Sequence, residues 1–243
     1  MDLSGTISLV TGGGHRVGKG IVMALAAAGS DVFIHYGRSD TQAAETAEQA
    51  GALGVRTAIG PADLSDPRAA PQLVADVIGS LGPPTVLINS ASSFPEDTLA
   101  SVKLEDFERT MRLSLYTPVF LAQALVANLP NGAEGAVVNV TDWRAERPYP
   151  EHFSYTLAKG ALMDFTRVAA IQLAPRVRVN AVALGAILPP PGKDSAYLKE
   201  LAGTLPLRRI GSPELVGQTV VHLVQNDFMT GEIVRLDGGA HLA

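Results

Sequence analysis

Ile7-Ser8-Leu9-Val10-Thr11-Gly12-Gly13-Gly14-His15-Arg16-Val17-Gly18 runs from an apolar segment into a glycine-rich turn and then into a helical pattern. Glycine lets a backbone approach a pyrophosphate closely. The helix start beyond it offers unpaired N–H groups and the positive end of a dipole. A glycine cluster alone is weak evidence. Directly behind a strand ending near residue 10, it marks the phosphate-binding turn of a dinucleotide site.

The remainder of the chain repeats the same alternation. Short β-rich runs at 7–10, 31–35, 56–59, 86–88, 136–140, 178–182 and 233–236 predict strands. Longer helical patterns at 17–28, 41–53, 67–81, 104–129, 152–174 and 213–225 predict helices. Continuous apolar strands, each followed by a helix, indicate a parallel sheet covered on both faces. The expectation is one α/β domain over residues 1–243, a Rossmann-like doubly wound sheet of about seven strands. Residues 184–205, with Pro189-Pro190-Pro191-Gly192, read as one long irregular stretch, and a loop of that length is expected to be a substrate lid.

Composition excludes several classes. With 47% apolar and 18% charged residues, 243 residues bury an ample core and argue against disorder. A net charge of −5 leaves no basic footprint, so neither nucleic acid nor an anionic membrane is an expected partner. The chain has no cysteine, which rules out disulfides, thiolate metal sites and cysteine nucleophiles, and fits a cytoplasmic location. No signal peptide or membrane span is expected. His15 and His222 have no partners at metal-ligand spacing, so no metal is expected. His152 reads as a surface residue, and the charges of 103–112 as a solvated helix face.

The end of the second strand selects the cofactor. A carboxylate there would hydrogen-bond the ribose of NAD, whereas arginine pairs with the 2′-phosphate of NADP. Here the residues are His35-Tyr36-Gly37-Arg38-Ser39, with no carboxylate before Asp40. Arg38 offers a planar donor fork and Ser39 a hydroxyl, so NADPH is the expected cofactor. A solvated surface arginine is the competing reading. Further along, Tyr155 and Lys159 are four apart and share one helix face. A neighbouring ammonium favours a phenolate, which predicts a lowered pKa for Tyr155 and a better proton donor. Asp142 follows the fifth strand at the carboxyl edge, where such sheets bind ligands; a turn-capping aspartate is the competing reading.

These residues together resemble the short-chain dehydrogenase/reductases over essentially the whole chain. The likeness is carried by Thr11-Gly12…Gly18, Asp63-Leu64, Asn89-Ser90-Ala91-Ser92, Tyr155…Lys159, Arg178-Val179-Asn180 and Thr230-Gly231…Asp237-Gly238-Gly239. It implies a single Rossmann-like domain, a homotetramer, and hydride transfer from a nicotinamide to a carbonyl or imine. It implies that Asp63 holds the adenine, Asn89 supports the cofactor and Lys159 contacts the nicotinamide ribose. Thr11, Gly12, His15, Val17, Gly18, His35, Tyr36, Leu64, Ser90, Ala91, Tyr155, Gly185 and Ile187 complete the cofactor site by the same likeness.

Two departures narrow the resemblance. Arg16 stands where most relatives carry glycine, and Asp142 where they carry serine. Both substitutions occur together in pteridine reductases and the related dihydromonapterin and dihydrofolate reductases. The segment Ser90-Ala91-Ser92-Ser93-Phe94 and the ending Asp237-Gly238-Gly239-Ala240-His241-Leu242 are similar to the same subgroup. That likeness puts Arg16 and Ser92 between the cofactor phosphates and a pterin, and makes Phe94 an aromatic plate opposite the nicotinamide. Trp143 and Leu188 complete the expected substrate wall, with Asp142, Tyr155 and Lys159 catalytic. Ser114, Leu184 and Pro189 depart from the family pattern at a proton-relay asparagine, a proline and a cofactor-binding threonine. A reductase of another carbonyl, such as a 3-oxoacyl thioester or sugar, and a catalytically idle NADPH-binding protein are the competing readings.

Overall fold

The computed structural model describes residues 1–190 and 192–243; Pro191 of the expected lid lies outside them. Seven strands form: β1 (Ile7–Val10), β2 (Asp31–Tyr36), β3 (Thr57–Pro61), β4 (Val86–Asn89), β5 (Gly135–Asp142), β6 (Val177–Leu184) and β7 (Ile233–Leu236). They pair, all parallel, in the order β3-β2-β1-β4-β5-β6-β7. The chain runs outward in one direction from β1 to β3 and, after crossing back to β4, in the other direction to β7. A crevice therefore opens beyond the carboxyl ends of β1 and β4, the usual ligand position in such sheets.

Helices α1 (Arg16–Ala27), α2 (Asp40–Gly51), α3 (Ala69–Ser80), α4 (Leu104–Met111), α5 (Thr117–Asn128), α6 (Phe153–Leu173), α7 (Ser195–Thr204) and α8 (Pro213–Gln225) complete the architecture. Successive strand residues face opposite layers, so the sheet carries two cores. Val10, Ile34, Ile88, Val138 and Val182 pack with Ile21, Leu25 and Val220 on the α1/α2/α8 side. Leu9, Phe33, Leu87, Val137 and Val179 pack with Leu73, Leu121 and Ala169 on the α3/α5/α6 side. Strands buried on both faces are mostly apolar, which is why β1 and β4 are buried at every position and carry no polar alternation beyond Ser8 and Asn89. Helices α1 and α8 touch at their backbones: a Cβ on Gly217 would lie 2.5 Å from the Gly20 carbonyl oxygen.

Two predicted elements differ. The helix expected over 104–129 is interrupted by a π-helical turn, Arg112–Tyr116, between α4 and α5. Pro118 has no N–H for the carbonyl four residues back, that of Ser114, so the regular ladder cannot pass through it. The stretch expected to be irregular over 184–205 contains α7. Asp194 caps it, its carboxylate accepting from the Ala196 and Tyr197 amides at 3.0 and 3.3 Å. Strand β5 also extends further than predicted. It runs in register with β6 as far as the Asp142–Leu184 pair, so Asp142 is the last strand residue, and it also caps the 3-10 turn Trp143–Ala145 as the competing reading expected. Among the described residues, no helix is long and apolar enough to cross a membrane.

Candidate active site

The glycine turn is braced from below. The Gly12 amide donates to Nδ1 of His35 at 3.1 Å, leaving Nε2–H to donate to the Ala62 carbonyl at 3.0 Å. Burial pushes the His35 pKa down, which keeps the ring neutral and suits this tautomer. Thr11 Oγ accepts from the Ser90 and Ala91 amides, both at 3.0 Å, and ties the turn to the segment after β4. Gly12 has φ +65°, and a Cβ on Gly18 would overlap the Gly12 carbonyl. Side chains at these two positions would collide with the turn's own backbone and with Ala91.

A cavity of ≈650 Å³ opens over this turn. Gly12, His15, Arg16, Val17, Gly18, His35, Arg38, Ser39, Asp63, Leu64, Ser90, Ala91 and Ser92 line it. Sequence reasoning missed Arg109 of α4, which lines the same cavity. It sat inside a charge run that reads as a solvated face, and only the fold turns it toward Arg38. Hydrogen bonds from the Ser65 hydroxyl and amide, then the charges of Arg109 and Arg38, hold the Asp63 carboxyl below its usual pKa. Seven expected cofactor residues lie outside this lining: Tyr155, Lys159, Gly185 and Ile187 line an adjoining cavity, and Tyr36, Thr11 and Asn89 line neither. Tyr36 packs against the α1/α2/α8 core instead. Thr11 and Asn89 are buried beneath the cavity. The Asn89 amide donates to Asn139 at 2.8 Å, and Asn139 donates to Thr166 of α6 at 2.9 Å. Asn89 therefore acts through the sheet.

A second cavity of ≈430 Å³ shares His15, Arg16, Val17, Ser90 and Ser92 with the first. Its own walls include Phe94, Asp142, Trp143, Tyr155, Lys159, Gly185, Ile187 and Leu188. One cleft thus has a polar end over the glycine turn and a chemical end between β5, α6 and the 184–205 segment. Trp143 is buried against Leu205 and Ala240 and serves as both wall and core.

Tyr155 donates to Oδ2 of Asp142 at 2.9 Å, and the Arg144 amide donates to Oδ1 at 2.9 Å. Lys159 donates to the Val140 carbonyl at 2.7 Å, with its Nζ 5.6 Å from the Tyr155 ring centroid. Burial raises the pKa of the Asp142 carboxyl, because removing water penalises its charge more than its hydrogen bonds and the nearby cations restore it. Burial and the adjacent carboxyl push Tyr155 well above its ordinary value. This reverses the prediction that Lys159 lowers it: burial and the directly bound carboxyl set the direction. Lys159 itself, fully buried, is pushed down to about 8.

The aromatic plate has a support that sequence reasoning did not find. His152, half-buried and in the left-handed region at φ 60°, stacks on Phe94 with centroids 3.6 Å apart. Its Nδ1 donates to the Pro95 carbonyl at 2.7 Å. Phe94 also meets Tyr155 edge-on, with centroids 4.8 Å apart. Asp97, 8% exposed, then stitches this loop to the start of α6. Its backbone carbonyl accepts from the Phe153 amide at 3.1 Å, and its carboxylate accepts from both the amide and the hydroxyl of Ser154. These amides are the unpaired first-turn donors of a helix, which is why a carboxylate settles there. His152 is thus a packed residue rather than a surface one.

Arg16, at φ 53°, donates to the Pro189 carbonyl at 2.6 Å and joins the glycine turn to the 184–205 segment. Ser92 and Ser114 lie hydroxyl to hydroxyl at 3.4 Å. Among the described residues, no cluster of three or more His, Asp or Glu is arranged for a metal ion.

A family model described as Enoyl-(Acyl carrier protein) reductase matches residues 14–241. The chain belongs to the short-chain dehydrogenase/reductase family, a class of oxidoreductases. It is 32% identical to a 3-oxoacyl-[acyl-carrier-protein] reductase of a Synechocystis strain, over 98% of this chain and 97% of that one. Among solved structures, FolM alternative dihydrofolate reductase 1 of Brucella canis, complexed with NADP, is 38% identical with a TM-score of 0.93, over 100% of this chain and 97% of that one. The Brucella suis protein of the same name, also with NADP, is 37% identical with a TM-score of 0.95 over the same shares.

Proposed function

We propose that this protein is an NADPH-dependent reductase of a C=N bond in a pterin or reduced folate. The observation that carries the reading is the carboxyl–phenol pair of Asp142 and Tyr155, 2.9 Å apart, in a cavity that also holds Arg16 and the Phe94 plate.

The residues over the glycine turn fit NADPH. Gly12 and Gly18 let the turn close on α1 and on Ala91 beneath the cavity, and Arg38 forms no ion pair among the described residues. Arg38, Ser39 and Arg109 would hold the 2′-phosphate, and Asp63 with Leu64 the adenine. Bound there, NADPH supplies a hydride to the substrate carbon. The Brucella proteins crystallised with NADP support the same cofactor.

Reducing a ring C=N also requires a proton at nitrogen. Tyr155 is the donor, since its raised pKa keeps it protonated throughout the working range. Asp142, whose charge burial disfavours, takes up a proton more readily than an exposed aspartate and replaces the one Tyr155 gives away. Lys159 holds a positive charge beneath the pair up to about pH 8. Phe94 gives a planar ring system a face to stack on. Residues 184–205 act as the lid, anchored to Arg16 through Pro189. The exposed Tyr116, Phe120, Leu157, Val168 and Ile171 of the π turn, α5 and α6 supply an apolar face for a homotetramer in the cytoplasm.

Likeness to the Synechocystis enzyme favours a second reading, reduction of a 3-oxoacyl thioester. Whenever the Asp142 carboxyl is ionised its charge opposes that reading, because it would repel a developing oxyanion. Steady-state kcat/KM with NADPH on dihydrobiopterin, dihydromonapterin, dihydrofolate and a 3-oxoacyl thioester decides between them. Turnover of the thioester without any pterin turnover refutes the lead reading.

A further inference from the structure

A third hollow of ≈380 Å³ lies outside the catalytic cavity. Phe94, Arg144, Pro190 and Tyr197 line both, so the two communicate past the edge of the aromatic plate. Arg144 is the only cation common to the two linings. Its backbone is fixed by the Asp142 bond, and its guanidinium sits 4.6 Å from the Tyr149 ring centroid and 5.9 Å from that of Phe94. It is half-buried and forms no ion pair among the described residues. Lys193 extends the positive side of the hollow, 5.9 Å from the Tyr197 ring. Glu96 and Glu151 share the rim, but both are exposed and pair with neither cation. Water and salt screen those carboxylates, whereas a half-buried guanidinium gains most from a partner.

We infer that this hollow is a subsite for a carboxylate-bearing extension of the substrate, with Arg144 as the group that receives the carboxylate. The inference rests on the pterin reading and sharpens it: the preferred substrate is a pterin with an aryl linker and an anionic end, a folate, rather than a pterin with a short neutral side chain. A guanidinium held between aromatic rings presents its planar fork with little orientational freedom left to lose. That fork matches a carboxylate in two-point contact. The Tyr149 and Tyr197 rings offer apolar surface to the linker between the two ends.

The test compares kcat/KM for dihydrofolate and dihydrobiopterin, with NADPH, in the wild type and in Arg144→Met, Arg144→Lys and Lys193→Met. Loss of one charge-assisted contact predicts that Arg144→Met loses roughly tenfold more on dihydrofolate than on dihydrobiopterin, mainly through KM. Arg144→Lys restores part of the difference, and Lys193→Met shifts it in the same direction by less. The wild-type KM for dihydrofolate, but not for dihydrobiopterin, rises with ionic strength; this measurement stands even if a variant does not fold. Equal losses on both substrates, or a salt-independent KM for dihydrofolate, overturn the subsite and leave the pterin reading intact. A wild-type enzyme that reduces neither substrate overturns the pterin reading itself.

Discussion

Asp142 accepts the Tyr155 phenol on one oxygen and the Arg144 amide on the other, each at 2.9 Å. The backbone contact locks the carboxyl's rotation, so the second oxygen stays aimed at the proton donor. Burial then sets the chemistry of the pair: the carboxyl is easier to protonate and the phenol harder to ionise than either would be in water.

Replacing Tyr155 by Phe removes the proton donor and keeps the ring that packs against Phe94. We expect kcat to fall by roughly 10²–10⁴-fold, the usual range for a general acid, with NADPH binding little changed. Single-turnover kinetics beside a fluorescence titration of NADPH measures both. Unchanged turnover removes Tyr155 from the mechanism.

The pH profile follows from the two buried charges. Because the Asp142 pKa is raised, the protonated carboxyl is populated as pH falls through that value, and reduction speeds up in that direction. The Lys159 ammonium is lost as pH rises through about 8, so the rate drops again there. Asp142→Asn should erase the lower step and move the Lys159 step below 8, because the Asp142 charge helps to hold the ammonium. A variant whose profile matches the wild type would show that Asp142 is not the proton reservoir.

Arg38→Ala should weaken NADPH by roughly tenfold or more and leave NADH nearly unaffected, since only NADPH carries the 2′-phosphate. Arg109→Ala should act in the same direction, because it faces the same cavity from α4. Binding titrations of both cofactors give the comparison; equal weakening of the two would place these arginines elsewhere.

Asp97 makes no contact with the cleft, yet it holds the Phe94 loop on α6. Asp97→Ala strands the Ser154 amide and hydroxyl, a loss of roughly 1.5–3 kcal/mol for a bond to a charged acceptor. Urea unfolding should register that loss. KM for a pterin should rise more than kcat falls, because the stacking plate loosens while the Asp142–Tyr155 pair stays. Asp97→Asn, which keeps one acceptor, should recover much of both.

What sequence alone conveys here divides along chain distance. The glycine turn, the strand–helix alternation and the Tyr155/Lys159 spacing are local patterns, and the structure brings them together as read. Arg109, Asp97, His152 and Arg144 gain their meaning from residues far away in the chain, such as Asp63 for Arg109 and Ser154 for Asp97, so no local pattern marks them. The π turn needed the effect of Pro118 on Ser114 to be weighed against a strong helical pattern. Helix α7 was hidden because three prolines precede its Asp194 cap. The reversed shift of Tyr155 had a different origin: spacing placed Lys159 near the phenol but could not reveal the burial and the bound Asp142 carboxyl that raise it.

The groups that meet in the cleft come from the ends of β1, β4, β5 and β6 and from α6, and β5 lies against β6 residue for residue as far as Asp142 and Leu184. Sliding β5 by one position would swing its last side chain to the opposite layer and bury a carboxyl among aliphatic groups. Turnover is therefore a stringent gauge of correct refolding: a chain can regain its helices, as far-ultraviolet dichroism would register, and still be silent until every strand has found its neighbour.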